Sequence, residues 1–174
     1  MARNVEIKAK VRDFQRLEAL AKQLADRGPE RIAQDDTFFH CPNGRLKLRD
    51  FGNGTAELIF YRRADESGPK TSFYRITSSH DPEGLRDTLT LAYGQLGRVV
   101  KQRTLYLAGR TRIHLDQVEG LGDFMELEVV LSEGEDEAAG LHEAENLMQA
   151  LGIQDSDLVK GAYLDLILAA GGAE

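Results

Sequence analysis

Two groups of charged residues stand out by their spacing. Arg45, Lys47 and Arg49 recur at every second position, and so do Glu126 and Glu128. Successive side chains of a β-strand point to opposite faces, so each group would project from one face of its strand. Cations massed on one face suit a polyanion: arginine grips phosphate oxygens in pairs, and lysine acts as a compact point charge. Carboxylates at alternate positions suit a hard divalent cation, which takes oxygen ligands. The segregation runs further along the chain. Positive residues collect at 45–49, 62–63 and 98–112, and negative residues at 126–145. A small anionic ligand could use the first set while a metal used the second.

The rest of the composition narrows the setting. The chain has 174 residues, 41% hydrophobic and 29% charged, with a formal net charge of −7. That length supports one domain with a substantial core, expected over 1–170 with 171–174 as a disordered tail. An acidic balance argues against broad, sequence-independent nucleic-acid binding, which needs a basic face. No apolar run approaches membrane-spanning length, and Met1-Ala2-Arg3-Asn4 opens directly into a patterned segment. The expectation is a cytoplasmic protein that engages neither membrane nor nucleic acid. The single cysteine, Cys41, lies beside Pro42 in a turn and excludes an internal disulfide.

The elements that must carry these charges can be read from periodicity and punctuation. Residues 3–12 alternate apolar and polar, as a half-buried strand does. Asp13 caps a helix with Phe14, Leu17, Leu20, Ala21 and Leu24 as its apolar stripe, ended by Gly28-Pro29. Four strands follow at 31–40, 44–51, 55–63 and 71–77, with turns at Pro42-Asn43-Gly44 and Gly52-Asn53-Gly54. Asp81-Pro82-Glu83 opens a helix to Tyr93, with proline in its favoured first turn. Strands at 97–107, 110–117 and 123–131 come next, then helices ending at Leu151 and spanning 160–169. Eight strands in hairpin order, with helices at the start, middle and end, predict a closed eight-stranded antiparallel β-barrel with helices packed outside, an α+β fold.

Alternation then gives most strands an apolar and an ionic face. Val5, Ile7, Ala9 and Val11 oppose Asn4, Glu6, Lys8 and Lys10. Leu46 and Leu48 oppose Arg45, Lys47 and Arg49. Tyr74 and Ile76 oppose Phe73, Arg75 and Thr77. Ile113 and Leu115 oppose Arg112, His114 and Asp116. Met125, Leu127 and Val129 oppose Glu126 and Glu128. An ordinary amphipathic sheet would put the ionic faces in water. If instead the amphipathic helices cover the apolar faces from outside, the ionic faces line the lumen. Pattern alone leaves the two arrangements open.

A resemblance points to the second. Asn4-Val5-Glu6-Ile7-Lys8 is similar to the Glu-x-Glu-x-Lys strand of the CYTH superfamily, the triphosphate tunnel metalloenzymes, with Asn4 in place of the first glutamate. Arg45-Leu46-Lys47-Leu48-Arg49 resembles the family's Leu-Arg-x-Arg strand, and Lys101-Gln102-Arg103 its later basic strand. Arg112-Ile113-His114-Leu115-Asp116 and Gly120 to Glu128 resemble its acidic C-terminal half, and Ala162-Tyr163-Leu164-Asp165-Leu166 its closing motif. The overall wording is similar to a bacterial CyaB-like, or class IV adenylyl cyclase-like, branch. The family also includes thiamine and inorganic triphosphatases.

The resemblance implies a charged tunnel that binds a triphosphate and Mg²⁺ or Mn²⁺. Glu6, Glu126 and Glu128 would help ligate the metal, with Asp116 as a further ligand or an acceptor behind the ligands. An internal salt bridge to a lumen arginine is the rival role for Glu128. Lys8, Arg45, Lys47, Arg49, Arg63, Arg75, Arg103 and Arg112 would grip phosphate oxygens, with Lys8, Arg49 and Arg103 nearest the chemistry. Lys10 would stand at the mouth or outside, and His114 would be a hydrogen-bonded lumen histidine. Lys160 and Tyr163 would close the tunnel from the last helix. The implied activity is metal-dependent: cyclisation of ATP, or hydrolysis of a nucleoside, organic or inorganic triphosphate. The alternative is a noncatalytic triphosphate or polyphosphate binding module. A homodimer is implied by the same analogy.

Overall fold

The computed structural model describes residues 2–63 and 68–171. Its strands are β1 (Ala2–Lys10), β2 (Arg27–Phe39), β3 (Arg45–Asp50), β4 (Ala56–Arg63), β5 (Lys70–Ser79), β6 (Gln95–Ala108), β7 (Thr111–Val118) and β8 (Gly122–Val130). They close into a barrel in the order β1-β5-β4-β3-β2-β6-β7-β8, with β1 paired to both β5 and β8. Every pairing is antiparallel. Closure leaves no strand edge with unpaired backbone groups.

Four helices lie outside: α1 (Phe14–Leu24), α2 (Pro82–Tyr93), α3 (Glu137–Ala150) and α4 (Tyr163–Gly171). Asp13 caps α1 by accepting the Arg16 N–H at 3.1 Å, and Asp81 caps α2 by accepting from Gly84 at 3.0 Å. Each side chain thereby satisfies a donor that the first helical turn leaves open. The α1 helix ends earlier than its sequence predicts. The Ala25 N–H closes the last turn on Ala21 O, and Asp26 already donates to Leu107 O at 2.7 Å. Gly28-Pro29 therefore sits inside β2, at a register shift against β6, rather than ending the helix. Gly28 has φ +113°, and a Cβ there would come within 2.7 Å of Leu105 O. The last helix likewise begins at Tyr163 rather than at 160 and takes in Gly171, while 172–174 lie outside the described residues.

The apolar strand faces point outward, beneath the helices. Val5, Ile7, Ala9, Ile113, Leu115, Met125, Leu127 and Val129 are buried there with Leu17 and Ala21 of α1 and Ala144 of α3. Burial of aliphatic side chains contributes roughly 1.5–3 kcal/mol each, enough to fix which face of the sheet is dry. The α3 contact is close: a Cβ on Gly140 would lie 2.7 Å from Leu131 and 2.9 Å from Val5. The α2 helix is anchored more lightly, by half-buried Leu85 and Leu89 against Phe39, Leu48 and Ala56. Its Leu91 is 89% exposed. The α4 helix lies across one end of the barrel, where Leu164 and Tyr163 pack with Phe38, Val99, Val118 and Phe124. Among the described residues no helix is long and apolar enough to cross a membrane.

Candidate functional site

With the apolar faces turned out, the opposite faces enclose a cavity of about 300 Å³. Among the described residues, six cations (Lys8, Lys47, Arg49, Lys101, Arg103, Arg112) and five carboxylates (Glu6, Asp36, Glu57, Glu126, Glu128) line it. In a chain of net charge −7, a cavity whose cations outnumber its carboxylates is a local reversal of sign. The walls grade from buried to exposed toward one mouth. On β2, Asp36 and Gln34 are buried and Ile32 is half-buried. On β5, Ser72 is buried and Ile76 is 45% exposed. The other end is closed by Tyr163 and Ala162, with Arg45 of β3 paired to Asp165 of α4.

Asp36 forms the centre of the cationic wall and is 1% exposed. Arg49 Nε donates to its Oδ1 at 2.9 Å and Arg49 Nη2 to its Oδ2 at 2.8 Å. Lys101 Nζ donates to Oδ2 at 3.1 Å, and Lys47 Nζ stands 3.5 Å from the same oxygen. Burial by itself would raise the carboxyl, but Arg49, Lys101 and Lys47 override it and hold Asp36 well below the usual carboxylate range. The same crowding acts on the lysines. Burial, reinforced by Arg49 and only partly offset by Asp36, lowers Lys47 well below an ordinary lysine. Burial likewise brings Lys101 down to about 8, against the pull of Asp36.

Carboxylates gather on the opposite wall. Side-chain ligand atoms of His114, Glu126 and Glu128 lie within 4.8 Å of one another. Glu126 is 3.7 Å from Lys8 Nζ and 3.5 Å from Arg103 Nη2. Glu128 accepts from Arg112 Nη2 at 2.8 Å, so the lumen-arginine salt bridge is formed. His114 Nδ1 is buried without a hydrogen-bond partner, 3.4 Å from Glu128 Oε1. At Nδ1, therefore, His114 makes no hydrogen bond, and the nearby carboxylate is that of Glu128. Burial would raise Glu128, yet His114 and Arg112 bring it well below its ordinary value. Two ionised oxygen donors beside an unpartnered buried nitrogen make a donor set that fits a divalent cation. Glu6 lines the same cavity, in register with Glu128.

Asp116 is wholly buried and otherwise engaged. Arg103 clamps it with two hydrogen bonds of 2.8 and 2.9 Å, and Tyr163 Oη donates to it at 2.7 Å. It lies outside the three-residue cluster, placed to orient Arg103 and Tyr163. Lys8 Nζ sits 3.9 Å above the Tyr163 ring and donates to Gly161 O at 3.3 Å.

Several expected positions fall elsewhere. Arg75 faces outward and is exposed, because β5 pairs Ser72 with Asn4 and Tyr74 with Tyr61, which turns Ser72, Tyr74 and Ile76 inward. Lys10 and Lys160 are exposed and do not line the cavity. Arg45 is engaged with α4 rather than lining the chamber. The Arg63 side chain lies outside what is described. Asp36 and Glu57 were missed by sequence reasoning, and Lys101 was read as part of a basic strand but not as a site residue. Lys101 shares a strand face with Arg103, and that parity was the available signal; Asp36 gave none, because 31–39 does not alternate.

The comparisons agree with this architecture. The CYTH domain pattern matches residues 2–163. A Methanocaldococcus jannaschii protein with a provisional adenylate cyclase name is 27% identical, covering 93% of this chain and 97% of its own. The PH1012 protein structure from Pyrococcus horikoshii superposes with a TM-score of 0.82 at 23% identity, covering 94% of this chain and 98% of that one. A Hippeastrum protein, provisionally an adenylyl cyclase and described as having a dominant triphosphatase activity, superposes with a TM-score of 0.60 at 17% identity, covering 86% and 88%. Barrel, ionic lumen and a match running from the first strand to the start of the last helix together place this chain in the CYTH domain family.

Proposed function

We propose that the protein is a metal-dependent enzyme acting on a triphosphate inside the barrel, with hydrolysis as its principal reaction. The observation that carries this reading is the pairing, within one cavity, of a cation-rich wall around Asp36 with an acidic cluster at His114, Glu126 and Glu128. A Mg²⁺ or Mn²⁺ ion held by Glu126, Glu128 and Glu6 would neutralise charge on the transferring phosphoryl group. The chain's own residues do the rest. Arg49, Lys47 and Lys101 receive phosphate oxygens on one side. Arg103, fixed by Asp116, and Lys8, fixed over Tyr163, present cations from the other. Arg112 stands toward the open mouth with its side chain 33% exposed, where an incoming chain would meet it first.

Attack by water gives hydrolysis, and attack by a ribose 3′-oxygen gives cyclisation; one cradle serves both. The Hippeastrum neighbour favours hydrolysis, and the Methanocaldococcus jannaschii relative's name favours cyclisation. The test is incubation with ATP, inorganic triphosphate and thiamine triphosphate plus Mg²⁺ or Mn²⁺, with products identified. Release of inorganic phosphate, lost in Glu126→Gln, is expected; cyclic AMP as the main product would replace hydrolysis with cyclisation. A noncatalytic module has one specific point in its favour: Asn4 removes a carboxylate from the first strand. Tight binding with no product would establish it.

A further inference from the structure

We propose that Asp36 is a positioning residue: an internal counter-ion that holds Lys47, Arg49 and Lys101 charged and aimed at one point, where an incoming phosphate takes over their contacts. The inference rests on the triphosphate reading above and assigns a function to a residue that the ligand-gripping set does not itself require.

Three observations carry it. Asp36 sits in the middle strand of three, with Arg49 directly across on β3 and Lys101 reaching from β6. A single carboxylate thereby collects cations from both neighbours. Its two oxygens make four close contacts, of 2.9, 2.8, 3.1 and 3.5 Å. One negative charge faces three positive ones, so the knot keeps a surplus of positive charge toward the cavity that all four residues line.

Without Asp36 the three cations would lose the carboxylate that they all contact, and buried like charges discharge or separate. Lysine is the weak member, since an arginine stays protonated throughout the ordinary pH range. The groups facing Lys101 are Asp36 on β2, Lys47 and Arg49 on β3, Arg103 on its own strand, Asp116 on β7 and Tyr163 on α4. Tyr163 is held neutral, its hydroxyl pushed up by burial and by Glu126 and Asp116. Of the two carboxylates, Asp116 is committed to Arg103, and Asp36 makes the direct contact with Lys101.

The test measures binding of inorganic tripolyphosphate, without metal, by calorimetry from pH 6 to 9.5. In the wild type, affinity should fall above pH 8 as Lys101 loses its proton, and binding there should be accompanied by proton uptake. Asp36→Asn should move that alkaline limb to lower pH by about one unit, so that affinity drops about fivefold at pH 8 and about tenfold at pH 9. At pH 6, below the alkaline limb of Lys101 in both proteins, the variant should bind as tightly as wild type or more so, having lost a competing anion. Crossing profiles of this kind do not follow from general destabilisation. Lys101→Arg, which keeps a charge that does not titrate, should flatten the limb; it also serves if Asp36→Asn fails to fold. A folded Asp36→Asn protein with an unmoved limb, or a Lys101→Arg protein that keeps it, overturns the assignment while leaving the triphosphate reading intact. A wild type that binds no tripolyphosphate at any pH takes both down.

Discussion

The two walls of the cavity solve the burial of charge in opposite ways. Around Asp36 one carboxylate serves three cations. Around Glu126 and Glu128 the cations are matched by acids: Lys8 and Arg103 approach Glu126, Arg112 approaches Glu128, and Arg103 already belongs to Asp116. The first wall has charge to spare for an anion. The second is balanced, and its three clustered ligand groups can accept a cation only if their arginine and lysine partners turn elsewhere, which a bound phosphate would let them do. The contrast implies that anion and metal reinforce each other: each relieves the ion pairs that the other must break.

Changes to single residues can break or sharpen that contrast. The largest effect is expected at Glu126→Gln, which removes one of the two clustered carboxylates. Metal-dependent turnover should fall at least about 100-fold, read as kcat/KM, while metal-free tripolyphosphate binding persists. Next is Arg103→Ala, which leaves Asp116 buried with Tyr163 as its remaining hydrogen-bond partner among the described residues. Loss of one member of a buried pair costs about 3–5 kcal/mol, so the urea midpoint should drop sharply. The same pair sets the acid behaviour. Burial opposes ionisation of Asp116, and Arg103 overrides it, so the folded carboxyl titrates below its ordinary value of 3.8. A depressed carboxyl stabilises the fold above that ordinary value and ceases to do so as pH falls through the lower, folded one. Stability should therefore decline progressively below about pH 4, and Asp116→Asn should flatten the decline. A smaller effect is expected from Asn4→Glu. Asn4 is 3% exposed, lines the cavity, and its Oδ1 has no hydrogen-bond partner. A carboxylate there should tighten Mn²⁺ binding by about tenfold, measured by titration; an unchanged affinity would place Asn4 outside the metal's reach. The smallest effect belongs to Arg75→Ala. An exposed residue on the outer face should change stability and turnover by less than about 0.5 kcal/mol, and a large loss of activity would contradict the inward turn of Tyr74 and Ile76.

How much of this was legible depended on whether a strand carried its own parity. On β1, β3, β7 and β8 the apolar and ionic positions alternate, so Lys8, Lys47, Arg49, Arg112, Glu126 and Glu128 could be set on one face before any partner was known. The run at 73–77 has an aromatic or aliphatic residue on either parity, Phe73 against Tyr74 and Ile76, so the side occupied by Arg75 was settled only by register with Asn4 and Tyr61. On β2, Asp35 and Asp36 are chemically identical neighbours. One is paired with Arg98 at the barrel's outer side and the other is the anchor of the cationic wall.

The sequence by itself determined the closed barrel, the strands that bear its charges and the family, because period-two alternation, turn residues and motif spacing are local properties of the chain. Tertiary structure alone decided that Asp36 gathers three cations, that His114 joins Glu126 and Glu128, and that Asp116 serves Arg103 rather than the cluster. These contacts join residues far apart in the chain, and the free energy of a buried charge depends on which partners closure brings within a few ångströms.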